Sequence, residues 1–93
     1  MTLLIRPARP DEAGLVLDFI RELAVYEKLP HEIEATQAQI ATSLFGENPR
    51  VFCDIAEWAG EPVGFAVWFY TYSTFRGRHG IWLEDLFVPE AQR

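Results

Sequence analysis

Ninety-three residues, 49% hydrophobic and 14% aromatic, make one small folding domain, residues 1–93, with no internal repeat to divide it. A formal charge of −6 excludes the basic face that nucleic-acid phosphates demand. Cys53 is the only cysteine, which excludes an internal disulfide or a cysteine metal cluster. With only His31 and His79 besides, no metal site is expected, and no apolar run approaches the roughly 20 residues that cross a bilayer.

Leu3 to Ala8 reads as a first strand, with Leu3 and Ile5 on one face and Pro7 closing regular pairing. Pro10 suits a first helical position, with Asp11 and Glu12 beside the amide-rich end, while Arg9 is a poor cap. Val16, Phe19, Ile20, Leu23 and Ala24 then recur as one helical stripe, and Pro30 stops the helix after Tyr26-Glu27-Lys28. In a second helix, Thr36 and Gln39 form a capping box, Ile40, Ala41, Leu44 and Phe45 supply the apolar face, and Gly46 stands where a left-handed cap is wanted.

From Val51 the period falls to two. Val51 to Trp58 is a strand with Val51, Cys53 and Ile55 on one face. Ala59-Gly60-Glu61-Pro62 is a hairpin turn, and Val63 to Tyr72 is a strand apolar on both faces, hence central and covered on both sides. Ser73 to Gly80 connects it to a last strand, Ile81 to Val88. The fold class is therefore α+β, in the order β-α-α-β-β-β, a mainly antiparallel four-stranded sheet with two helices. Trp58, Trp68 and Trp82 fall on ordinary strand positions and are expected in the core.

The last strand carries two adjacent carboxylates, Glu84 and Asp85, inside an apolar run. Strand alternation allows only one of them to share a face with Trp82, Leu86 and Val88. A carboxylate buried on a sheet costs several kcal/mol unless it is paired or hydrogen-bonded, so such an acid is either salt-bridged or working. From the residues alone, Glu84 capped by Arg76 or Arg78 is the plainer alternative, and Asp85 is expected to pair structurally. Tyr26 and Glu27 are equally compatible with an ordinary solvated helix end or with binding an ammonium, which both an aromatic face and a carboxylate attract.

The run L-E-D-L-F-V-P-E-x-x-R at residues 83–93 resembles the fourth strand and following turn of the GCN5-related N-acetyltransferases. L-L-I-R-P-A at 3–8, F-I-R-E-L-A-V-Y-E-K-L-P at 19–30, G-E-P-V-G-F-A at 60–66 and F-Y-T-Y-S-T-F-R-G-R-H-G-I-W-L-E-D-L-F-V at 69–88 resemble the diamine acetyltransferases, of the spermidine/spermine and thialysine type. The resemblance implies the amino-terminal part of a single acetyltransferase domain. It implies acetyl-CoA as co-substrate, a primary amine of a polyamine or similar small cation as acceptor, and a homodimer. It makes Glu84 the base or amine-binding acid, Tyr26 and Glu27 substrate contacts, Leu86, Phe87 and Val88 cofactor contacts through their backbone, with side chains expected in the core, and Arg93 a further cofactor contact. Gln92 and Arg93 would open the pyrophosphate loop, whose glycines, like a tyrosine general acid, would lie past Arg93. The chain alone is thus expected to be inactive.

Two other readings stay open: a truncated, non-catalytic relative serving as a binding or dimerisation module, and an unrelated α+β interaction domain with an acidic face. The start M-T-L-L-I-R-P lacks the basic beginning and long apolar core of a signal peptide, so a cytoplasmic location is the default.

Overall fold

The computed structural model describes residues 2–92. Strand β1 (Leu3–Pro7) leads through a 3-10 turn at Pro10–Glu12 into helix α1 (Ala13–Tyr26); a second such turn, Pro30–Glu32, precedes α2 (Gln37–Phe45). Strands β2 (Phe52–Trp58), β3 (Glu61–Ser73) and β4 (Arg78–Phe87) follow, and a last 3-10 turn covers Glu90–Gln92. The sheet is antiparallel throughout, in the order β1-β2-β3-β4. The expected α+β order is the observed one.

Both helices lie on one face of the sheet. Val16 and Phe19 of α1 meet Cys53, Ile55, Phe65, Val67 and Phe87 in a single core, with Ile40 and Leu44 of α2 packed against it. Phe19 stacks on Phe65 at 5.2 Å between ring centroids. α2 is capped as its sequence implies: Thr36 Oγ1 accepts from the Gln39 amide at 3.2 Å, and Gln39 Oε1 accepts from the Thr36 amide at 2.9 Å.

Several expectations need correction. β3 is central but covered on one face only, because both helices occupy the same side. The opposite face leaves Leu3, Ile5, Tyr70, Leu83 and Leu86 exposed. Trp58 and Trp82 are likewise exposed, not core, and Trp68 is half-buried with its indole N–H donated to Asp54 at 2.9 Å. Gly46 is extended, not left-handed (φ −75, ψ −170); it is needed because a Cβ there would meet the Thr42 carbonyl at 2.5 Å. The hairpin turn centres on Ala59 and Gly60, both at positive φ, so Glu61 and Pro62 already belong to β3. β3 and β4 also pair further than expected. The connection shrinks to residues 74–77, and the two strands run on beyond Phe52, the first residue of β2, as a ribbon.

The start of α1 shows why Arg9 suffices. Its amide donates to Glu12 Oε1 at 2.7 Å, and Glu12 is clamped by both guanidinium nitrogens of Arg6 at 2.8 Å. Arg6 also holds Glu57 of β2. One arginine on β1 thus ties the helix start and the neighbouring strand to the sheet. The bidentate pair pulls the Glu12 carboxyl down to about 2, the Arg6 hydrogen bond being the largest cause.

Candidate amine-binding site at the end of strand β4

The register of β3 against β4 slips by one residue in the middle of the acidic pair. Trp68 stands opposite Leu83 and Val67 opposite Asp85, so Glu84 is the extra residue of a β-bulge. Residues directly opposite share a face. Val67 is buried on the helix-covered face, so Asp85 points to that side; Trp82, opposite Phe69, points there too. Leu83 and Leu86, opposite Trp68 and Ala66, point to the uncovered face.

The bulge overturns the expectation that Trp82 and Leu86 share a face and that strand alternation separates the two acids. Glu84 Oε1 accepts from Trp82 Nε1 at 3.2 Å, which places its carboxylate beside Trp82. Neither Arg76 nor Arg78 pairs with Glu84. The expected ion pairing of Asp85 is also absent: no cation pairs with it among the described residues. Burial first, then the charges of Glu84 and Glu27, push the Asp85 carboxyl above the ordinary aspartate range. Glu27, from the end of α1, is thus within electrostatic reach of Asp85.

Glu27 comes from the end of α1. Its amide donates to the Leu23 carbonyl at 2.9 Å, and Lys28 follows in the left-handed region (φ 63). The Lys28 amide reaches the Val25 carbonyl at 3.0 Å and the Leu29 amide the Ala24 carbonyl at 2.7 Å, a closed helix terminus that fixes Tyr26 and Glu27 in place. An acid at a helix C-terminus opposes the macrodipole, where a cation would be favoured. Tyr26 reaches β4, its ring 6.0 Å from that of Phe87.

Beside this cluster, a crevice of about 440 Å³ runs between α1 and the end of β4, lined by Arg21, Glu22, Val25, Tyr26, Phe87, Pro89 and Glu90. Tyr26 lines it; Glu27, Glu84 and Asp85 stand outside its wall. Of the four expected cofactor contacts, Leu86 and Val88 line a different groove, about 380 Å³ on the uncovered face, together with Leu3, Ile5, Trp58 and Gln92. Phe87 points the other way and is buried in the core. Arg93 lies outside the described residues.

The structure therefore gathers Tyr26, Glu27 and Glu84 at one end of α1 and β4, and adds Asp85 and Trp82, which sequence reasoning left out. The signal for Asp85 was an acid with no cationic neighbour in sequence. The bulge that turns it toward Glu27 has no signature in residue type. Among the described residues no cation pairs with Glu84, Asp85 or Glu27, which makes the cluster a candidate site for a cation. Cys53 takes no part: burial, more than the nearby acids, raises its thiol to about 12, which leaves it protonated and inert at neutral pH.

Comparison with known proteins bears on the sequence and fold of the chain as a whole. No family model matches the chain. In fold, it superposes over its whole length on a possible acetyltransferase from Clostridium difficile 630 (TM-score 0.75, 19% identity, 61% of that chain covered). The same holds for a ribosomal-protein-alanine N-acetyltransferase from Brucella melitensis biovar Abortus 2308 (TM-score 0.75, 13% identity, 61% of that chain). In sequence, it is 39% identical to the thialysine N-epsilon-acetyltransferase of Sus scrofa across 99% of this chain and 58% of that protein. It is 34% identical to the human spermidine/spermine N(1)-acetyltransferase-like protein 1 across 94% of this chain and 13% of that protein. The chain resembles the GCN5-related N-acetyltransferases in both sequence and fold, and the relatives named above are of the thialysine and spermidine/spermine type. It spans a little over half the length of the thialysine acetyltransferases it matches.

Proposed function

We propose that this chain carries the amine-binding and proton-accepting part of an acetyl-CoA-dependent N-acetyltransferase whose acceptor is a small polycationic amine of the thialysine or polyamine kind. The observation that carries the reading is the bulge at Glu84, which sets Glu84 and Asp85 on the side of Glu27 with no cation among them. An amine arrives as an ammonium, with a pKa near 10.4 for a lysine-like group, and has no lone pair until it loses a proton. Glu84 accepts that proton, directly or through a water. The freed nitrogen attacks the thioester carbon, the C–N bond forms, the C–S bond breaks, and the second proton that the nitrogen sheds ends on the departing CoA thiolate. Asp85, held above its ordinary range, adds negative charge beside Glu84 and shares the protons of the site. Glu27 and the Tyr26 ring bind a second ammonium, which selects diamines over monoamines.

The cofactor's pantetheine arm is proposed to lie along the outer side of β4 at Leu86 to Val88, reaching the acids from the side opposite the amine, with Arg93 at the pyrophosphate. Homodimerisation is part of the same proposal. It is supported by the exposed apolar residues Leu3, Ile5, Leu83 and Leu86, which form a surface suited to further protein.

The test is a substrate panel on the full-length protein: acetyl transfer to thialysine, spermidine and a monoamine of equal length. Diamines should win in kcat/KM, and their advantage should shrink with added salt. Equal rates for monoamine and diamine would sink the assignment of Glu27 and Tyr26.

A further inference from the structure

Glu84 is an exposed acid on an edge strand, and a glutamate there ordinarily samples several rotamers. A general base must instead hold one geometry relative to the nitrogen it serves. No cation pairs with Glu84 among the described residues, and its one hydrogen bond is the indole N–H of Trp82 at 3.2 Å. Trp82 is 55% exposed, so packing does not explain a large indole at this position. The bulge explains it geometrically, since it turns the Glu84 carboxylate to the face that Trp82 occupies.

We propose that Trp82 is the positioning residue of Glu84. Its indole N–H holds Oε1, leaving Oε2 to take the proton of the amine. A neutral donor suits the task where an arginine would not: it orients the carboxylate without cancelling the charge that draws the ammonium in. The indole ring adds an apolar, electron-rich face next to the acids. Trp68 and Asp54 repeat the pairing at 2.9 Å on the other face of the sheet, away from the acidic cluster, and serve as an internal control. The proposal rests on Glu84 being the base.

Two measurements on the full-length protein test it. In a spectrum of ¹⁵N-labelled tryptophan side chains, the Trp82 indole signal, identified by its loss in Trp82→Phe, should move on Glu84→Ala while those of Trp58 and Trp68 stay. A Trp82 signal indifferent to Glu84→Ala overturns the proposal, and this holds even if Trp82→Phe folds poorly. In kinetics, Trp82→Phe should lower kcat about tenfold, as misplacing a reacting group does, with the KM for acetyl-CoA unchanged. In a Glu84→Gln background the same change should cost nothing further, because the indole would have no base to aim. A full additional loss there shows that Trp82 acts by itself, and the proposal falls. The two possible failures are distinct. An unslowed Glu84→Gln enzyme removes the base and with it this role, whereas a slowed Glu84→Gln enzyme with an unslowed Trp82→Phe overturns Trp82 alone.

Discussion

Two clusters of carboxylates sit on the helix-covered side of this sheet, and they are built to opposite ends. At the start of α1, Glu12 and Glu57 converge on Arg6, and the Glu12 carboxyl is drawn down to about 2. At the end of the same helix, Glu27 and Glu84 both lie within electrostatic reach of Asp85, no cation pairs with any of the three among the described residues, and Asp85 is pushed upward. The first cluster contributes stability by tying β1, β2 and the helix start together. The second holds like charges close, which destabilises the fold until a cation arrives. Such tension is expected where binding, not folding, is served.

The largest expected effect is at the unpaired end. In the full-length enzyme, Glu84→Gln should slow acetyl transfer by about 10²–10⁴, the span of losing a general base, and the loss should ease at high pH, where more amine is already deprotonated. A rate unchanged at neutral pH would make the two clusters alike in being structural. Next comes the paired end. Arg6→Met leaves Glu12 and Glu57 with only the more distant, exposed Arg9 as a cation and should cost about 2 kcal/mol in urea unfolding, with little change in kcat. A large loss of activity at unchanged stability would erase the distinction.

The pH dependence sharpens the contrast. Glu12 has a folded value near 2 against an ordinary 4.5. Its contribution is complete above about 4.5 and is lost as the pH falls toward 2; that acid loss should shrink in Arg6→Met, where only Arg9 still favours the carboxylate. Asp85 has the opposite sign: its raised value means that ionisation at neutral pH weakens the fold. Asp85→Asn should therefore raise the melting temperature at pH 7 while lowering activity, and a fall in melting temperature would show a hidden partner. The smallest effect is Glu27→Ala, which should raise the KM for a polyamine about two- to fivefold, the worth of one partly screened ion pair, and leave that for acetyl-CoA unchanged. An effect confined to acetyl-CoA would remove Glu27 from the amine site.

Much of this was legible in the residues. The stripe from Val16 to Ala24, the Thr36/Gln39 box and the period change near residue 51 each report a local preference, so element type and order followed from sequence. Glu84, Tyr26 and Glu27 are singled out by the resemblance to the acetyltransferases; from the residues alone, a salt-bridged strand acid and a solvated helix end are readings at least as good. What the sequence could not supply was side. Alternation predicts that Glu84 and Asp85 part company, and only the one-residue slip against β3 brings Asp85 toward Glu27 and Glu84 beside Trp82. A bulge is decided by how a strand fits its neighbour, not by its own residues. The same holds for β3, whose two apolar faces look equal in sequence, while the placement of both helices on one side covers one face and leaves the other exposed. Propensity and pattern set the elements; the pairing between them decided which charges meet.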